Sequence, residues 1–214
     1  MQRIERSQYI DRLKRLRGTP DIKIITGVRR AGKSELLRAY IDYLKNDKSN
    51  INIIYIDYAN LDFHNLKIYD KLHSYVEDRY IPNSENILII DEVQLCEKFE
   101  LAINSFHNSR EYDIYVTGSN AFLLSSDLAT LFTGRFIEIP IFPFSFKEYC
   151  EYFGIVDNQS LHLSQYIRGG GLSGSYVYKD SLDKKTYVAD LYSTLIKRDL
   201  VDKYKISQVA LLDN

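Results

Sequence analysis

The sequence predicts an α/β fold built on a mainly parallel, doubly wound sheet, and three observations carry that prediction. Short β-branched runs alternate with segments of helical spacing along the 214 residues. A glycine-rich stretch, Gly27-Val28-Arg29-Arg30-Ala31-Gly32-Lys33-Ser34, separates the first of those runs from a long helical segment. Further on, Ile87-Leu88-Ile89-Ile90 runs into Asp91-Glu92, and so dense an aliphatic run suits only a strand buried on both faces.

Taken in order, Ile4, Tyr9, Ile10, Leu13 and Leu16 recur at helical spacing among basic residues, so residues 3–17 read as an amphipathic helix that Gly18-Thr19-Pro20 ends. Ile22-Lys23-Ile24-Ile25-Thr26 is the first strand, and Glu35 to Leu44 continues the first helix after the loop. Asn46 to Asn50 is a turn cluster before a second strand, Ile51 to Asp57. Asp57 closes that strand, where it either assists a metal or water or serves as a turn carboxylate, the simpler role. Residues 65–80 read as a helix with Leu66, Tyr69, Leu72, Val76 and Tyr80 on one face. After the Ile87–Ile90 strand come a helix over 97–108 and a fourth strand, Asp113 to Thr117, leading into Gly118-Ser119-Asn120. Phe136 to Ile139 is a fifth strand. Beyond Pro140 and Pro143, Ser145 with Glu148 forms a capping box for another helix. Residues 160–214 keep a helical period, broken by Arg168-Gly169-Gly170-Gly171-Leu172-Ser173-Gly174, which reads as a flexible joint or, less simply, a phosphate-contacting loop.

The chemistry concentrates in the loop and the carboxylates. Gly27 to Ser34 fits G-x-x-x-x-G-K-[ST] between a strand and a helix, the context that gives this pattern its meaning. Glycines let successive backbone amides turn inward around a phosphate, and the following helix adds its positive end. Gly27, Val28, Arg29, Arg30, Ala31, Gly32, Lys33 and Ser34 are therefore the candidate nucleotide-binding residues, with Lys33 reaching the β- and γ-phosphates and Ser34 ligating Mg²⁺. Downstream of such a loop, Ile87–Glu92 reads as a Walker B strand: Asp91 holds Mg²⁺, and Glu92 polarises the water that attacks the γ-phosphate. Ser119 or Asn120 either hydrogen-bonds the γ-phosphate or caps the run Ala121-Phe122-Leu123-Leu124, and the two roles can coexist. The apolar face of the first helix packs beside the adenine or covers an edge of the core.

These residues resemble the prokaryotic ATPases of the AAA+ superfamily that carry a C-terminal domain of unknown function. The resemblance rests on Lys23 to Ser34, on Ile89-Ile90-Asp91-Glu92-Val93-Gln94, on Thr117-Gly118-Ser119-Asn120, and on Gly134-Arg135 with Pro143-Phe144-Ser145-Phe146, over roughly residues 3–200. It implies a P-loop NTPase sheet of strand order 5-1-4-3-2, a helical lid and then a winged-helix output region. It also implies that Ser119 looks like the first sensor and Arg135 like a candidate arginine finger that reaches a neighbouring subunit, although an exposed strand-edge residue paired with a nearby carboxylate is the simpler reading of Arg135. Where such proteins have two glycines, an aromatic and a proline, this chain has Gly169-Gly170-Gly171-Leu172-Ser173. Ile206, Val209, Ala210 and Leu212 begin a new apolar face just before Asn214, as expected of a truncated output region. The expected organisation is an N-terminal helix over 1–19, an ATPase core over 20–145, a lid over 146–200 and the start of the output region over 201–214.

Composition agrees with a globular protein: 45% of residues are hydrophobic and 27% charged. No apolar run approaches bilayer length and Met1 to Arg6 lacks a signal-peptide core, so a cytoplasmic protein without a membrane partner is expected. Cys96 and Cys150 lie far apart, near no histidine cluster, and indicate neither a disulfide framework nor a zinc site. The net charge of −1 hides a basic segment: residues 1–38 hold eight Arg and three Lys against two Asp and two Glu. Serving the nucleotide is its simplest purpose, a nucleic-acid footprint the other. The expected function is Mg²⁺-dependent ATP hydrolysis coupled to a conformational change, with ATP and ADP as ligands. A nucleotide-gated interaction module with negligible hydrolysis, or a small-molecule kinase, are the alternatives. A homo-oligomer, and a protein or nucleic-acid partner engaged through a missing C-terminal region, are the partners this reading leaves open.

Overall fold

The computed structural model describes residues 4–47, 49–118, 130–132, 134–157 and 159–194. The chain divides into two compact units. One takes in residues 6–27 and 33–141; the other gathers residues 28–32 with the described residues from 142 onward.

The larger unit runs α1 (Ser7–Leu16), β1 (Ile22–Thr26), α2 (Lys33–Lys45), β2 (Ile51–Asp57), α3 (Tyr69–Glu77), β3 (Glu85–Asp91), α4 (Phe99–Ser109), β4 (Tyr112–Thr117) and β5 (Phe136–Pro140). Its five strands form one sheet in the order β2-β3-β4-β1-β5, every neighbouring pair parallel. This is the doubly wound order that the resemblance implies. All five residues of β1 are buried, because the strand is paired on both edges and covered on both faces. On one face Ile22, Ile24, Ile56, Leu88, Ile90 and Val116 pack with Leu72 and Val76 of α3 and Ala102, Ile103 and Phe106 of α4. The alternate residues Lys23, Ile25, Ile89 and Tyr115 face the other way, where the Tyr115 hydroxyl meets that of Tyr40 from α2 at 3.0 Å. Helix α1 lies on α2 with Ile10 and Leu13 buried. Beyond its C-terminus, Arg17 donates to Glu85 at 2.7 Å and to Asp47 at 2.6 Å, tying that end to the start of β3 and the turn after α2.

The helix expected over 65–80 is shorter. Asn60 accepts the Asp62 amide and starts a 3-10 turn over Leu61–Leu66, and Ile68 is held extended in a bridge to Glu97, so the α-helix begins only at Tyr69, and of the expected apolar face only Leu72 and Val76 are buried. The smaller unit holds α5 (Phe146–Phe153), α6 (Gln159–Gly169) and α7 (Ser181–Thr194). The capping box of Ser145 and Glu148 starts α5, as expected. An aromatic cluster of Phe144, Phe146, Tyr149, Tyr152, Phe153, Tyr166 and Tyr176, with neighbouring ring centroids 4.8–6.2 Å apart, holds it together, with Phe144 and Tyr149 buried and Phe153 at its exposed margin. The glycine cluster has a packing role here: a Cβ on Gly171 would come within 2.2 Å of the Phe144 carbonyl oxygen, and one on Gly174 within 2.1 Å of the Tyr187 hydroxyl. Before α7, Asp180 accepts the Leu182 amide at 2.7 Å, which breaks the helical period a second time.

One buried polar group in the larger unit is unusual. The fully buried Lys23 ammonium donates to Asp113 at 2.5 Å and to the Thr19 carbonyl at 2.6 Å, while Asp113 also accepts from the Gly18 amide and the Tyr115 hydroxyl, each at 3.0 Å. Asp113→Ala leaves a buried ammonium without its counter-ion, so it is expected to lower stability by about 3–5 kcal/mol in urea unfolding. Lys23→Met, which leaves Asp113 two other donors, is expected to cost less.

Candidate functional site

In a parallel sheet every strand ends at the same edge, and here that edge collects the residues singled out in the sequence. Thr26 closes β1, Asp57 β2, Asp91 β3 and Thr117 β4, with Asp57 beside Asp91 and Ile25 beside Thr117 in register. Gly27 follows at once. The Ile141 amide donates to the Thr26 carbonyl at 2.7 Å, and a Cβ on Gly27 would lie 2.4 Å from the Ile141 carbonyl oxygen, so only glycine lets the chain leave β1 beside this segment. The Thr26 hydroxyl donates to Glu138 at 2.7 Å and further secures the strand end.

Within the loop, the Ala31 amide donates to the Val28 carbonyl at 3.1 Å, and Arg30 and Gly32 take left-handed conformations with φ of 63° and 98°. Helix α2 then begins at Lys33, whose side chain is 4% exposed and donates to the Gly27 carbonyl at 2.8 Å. A buried ammonium on a backbone carbonyl at a helix N-terminus sits where an anion would be received.

Asp91 is 1% exposed. Burial pushes its carboxyl above the usual range, hydrogen bonds from Thr117 and Ser34 pull it back, and the charges of Asp57 and Glu92 add to the rise. The Thr117 hydroxyl donates to Asp91 and accepts the Glu92 amide at 3.0 Å, so one side chain positions both acidic residues. Glu92 leaves the strand in a left-handed conformation, φ 57° and ψ 48°, and Gln94 donates to its carboxylate. The hard oxygens of Ser34 and Asp91 stand within hydrogen-bond reach of one another, a donor set that suits Mg²⁺ completed by phosphate oxygens and water. A cation there would also offset the burial of Asp91.

Among the remaining candidates, Asp57 serves a turn: it accepts the Ala59 amide at 3.0 Å and stands 3.7 Å from Arg38. Ser119, Asn120 and the run Ala121–Leu124 lie outside the described residues. Arg135 precedes β5, and its carbonyl accepts the Ile22 amide. It therefore stands at the edge where strands begin, a strand length or about 17 Å from the loop end of β1. Its exposed guanidinium donates to Asn108 at 2.9 Å. Thr117, Gln94 and Glu138 are positioning residues; Thr117 and Gln94 lie within the stretches that carry the resemblance but have no role in it, and Glu138 lies outside them. The available signal was a β-branched hydroxyl ending a buried strand, and an amide two residues after a carboxylate.

The fold and this edge define a P-loop α/β nucleotide-binding architecture. A family model described as an AAA domain matches residues 19–150, more than half of the chain, and the chain belongs to that family. An uncharacterised protein of Haemophilus influenzae is 34% identical over 98% of this chain and 53% of its own length. One from Methanocaldococcus jannaschii is 28% identical over 88% and 44%. The chain thus spans about half the length of the curated relatives it matches. A solved Walker-type ATPase of Pyrococcus abyssi shares the fold with a TM-score of 0.54 and 19% identity, over 95% of this chain and 76% of that one. Family membership supports nucleotide binding of the ATPase type. Among the described residues no helix is long and apolar enough to cross a membrane.

Thr117→Val keeps the shape of the strand end but leaves the buried Asp91 carboxyl and the Glu92 amide each short of a partner. It is expected to cost about 1–3 kcal/mol in denaturant unfolding.

Proposed function

We propose that the chain binds ATP with Mg²⁺ at Gly27–Ser34 and hydrolyses it, with turnover driving a conformational change. The observation that supports this best is the hydrogen-bonded run from Asp91 through Thr117 to the Glu92 amide, set at one sheet edge beside a phosphate-loop sequence. Loop amides and Lys33 hold the triphosphate, and Lys33 exchanges the Gly27 carbonyl for a phosphate oxygen as it does so. Ser34 and Asp91 hold Mg²⁺, which when bound neutralises charge on the β- and γ-phosphate oxygens. Glu92 takes a proton from water as the water oxygen bonds to the γ-phosphorus; the bond to the bridging oxygen breaks and ADP leaves with that electron pair. Ser119 acts as the first sensor on the γ-phosphate or the water.

Arg135, a strand length from its own loop, acts as a finger on a neighbouring subunit of a homo-oligomer. On this reading residues 20–145 are the ATPase core that follows the 1–19 helix, 146–200 are the lid, and the partner in the cytoplasm is a protein or nucleic acid. The second reading is a nucleotide-gated module with negligible hydrolysis. The Gln94 amide donates to one oxygen of the Glu92 carboxylate and fixes its orientation, which leaves the other oxygen to meet a water.

Lys33→Ala is expected to abolish or severely weaken ATP binding in calorimetry, because the loop loses its buried ammonium. Glu92→Gln is expected to keep ATP and Mg²⁺ bound while phosphate release nearly stops; wild-type turnover near zero with tight ATP binding would instead select the gated module. Asp91→Asn removes a buried charge, so it is expected to raise the thermal midpoint without metal and to lose the stabilisation that Mg²⁺ and ATP confer together. For Arg135, specific activity is expected to rise with protein concentration, and mixing Arg135→Ala with Glu92→Gln subunits is expected to restore some turnover. A finger of this kind supplies about 10³ to 10⁵ in rate. Activity that is independent of concentration in a monomer, with no rescue on mixing, would leave Arg135 a structural residue.

A further inference from the structure

Arg30 belongs to the candidate nucleotide-binding loop, yet no step above uses its side chain. It is exposed and sits in a left-handed backbone conformation, φ 63°, which residues other than glycine adopt rarely. Its guanidinium carbon lies 4.7 Å from the centroid of the Tyr187 ring, within cation–π range. That ring is itself held: Tyr178 packs on it with centroids 5.4 Å apart, and the missing side chain of Gly174 makes room for its hydroxyl. Residues 28–32 group with the unit that contains α7 rather than with the strand and helix they join. A cavity of about 340 Å³ adjoins the stack, lined by Arg30 and Tyr187 and also by Arg29, Asp183 and Asp190.

We propose that Arg30 is a positioning residue of the phosphate loop, tethered by Tyr187, and that nucleotide arriving at the loop is sensed at α7 through this stack. The ligand rests on the nucleotide reading above; the geometry rests on different residues. Lys33 is three residues beyond Arg30, so a phosphate that rearranges the loop backbone around Lys33 moves the attachment point of the guanidinium. Tyr187 also packs against Tyr178 and beside Gly174, so of its contacts the one with Arg30 is the one that a shift of the loop disturbs.

The chain contains no tryptophan, so Tyr187→Trp installs a single indole at the stack. Titration of this variant with ATP and Mg²⁺ is expected to change its emission, and the same titration is expected to be silent in Arg30→Met/Tyr187→Trp, although calorimetry still detects ATP. In the otherwise native chain, Arg30→Met and Tyr187→Leu are each expected to weaken ATP binding by about 2- to 30-fold, the double variant to be no weaker than the weaker single one, and Tyr187→Phe to bind normally. Arg30→Gly is expected to recover part of the Arg30→Met loss, because glycine holds this backbone conformation unaided. ATP binding with unchanged emission, an emission change that persists without Arg30, or additive losses in the double variant would overturn the tether alone. Failure of the wild-type chain to bind ATP at all would overturn the nucleotide reading and the tether with it.

Discussion

The candidate site depends on β1 being an interior strand. It is paired with β4 on one side and β5 on the other, so its last residue and Gly27 are delivered to a fixed point on the sheet edge. The order β2-β3-β4-β1-β5 then places β4 between that point and the carboxylates of β3. This is why Thr117, and not a residue of either motif, carries the hydrogen bonds that orient Asp91 and Glu92. A different order with the same five strands would bring the same motifs to the same edge without that intermediary.

Such an edge is assembled from groups that folding alone would avoid. Lys33 and Asp91 are charged residues taken out of water, and Arg30 and Glu92 are side-chain-bearing residues held at positive φ. Each costs free energy and persists because its surroundings over-determine it. Burial of Asp91 and of the Lys33 ammonium makes both respond strongly to a charge of opposite sign, as a metal and a triphosphate site requires. At the other end of β1 the Lys23–Asp113 pair spans β1 and β4 and takes no part in that chemistry. Fully paired, it holds the register on which the opposite edge relies.

The smaller unit follows a different logic. It is held together by a set of aromatic rings on short helices, and glycines at 171 and 174 permit backbone and ring approaches that no side chain would allow. Helix α7 is two-faced in charge rather than in hydrophobicity. Asp183, Tyr187 and Asp190 line the cavity that Arg29 and Arg30 also line, whereas Lys184, Lys185, Val188 and Tyr192 line a separate groove with Arg168. A helix of this kind has little periodic apolar signal, and its role comes from what its two faces meet.

By itself the sequence determined the class of fold and the seat of the chemistry. Aliphatic runs that only doubly buried strands tolerate, a glycine loop between strand and helix, and a carboxylate pair ending a strand are local patterns, and local physics suffices to read them. The capping box at Ser145 and the turn role of Asp57 were legible for the same reason. The tertiary structure decided what depends on residues distant in the chain. The start of α3 was set by the bridge between Ile68 and Glu97, and the use of Gly171 and Gly174 by partners at Phe144 and Tyr187. The joining of Ser34, Asp91, Thr117 and Glu92, separated by up to 83 positions in the chain, and the stacking of Arg30 on Tyr187 come from strand order and helix packing. Hydrogen bonds and ring contacts between such residues have no period or spacing in the chain, so they exist only once the chain has folded.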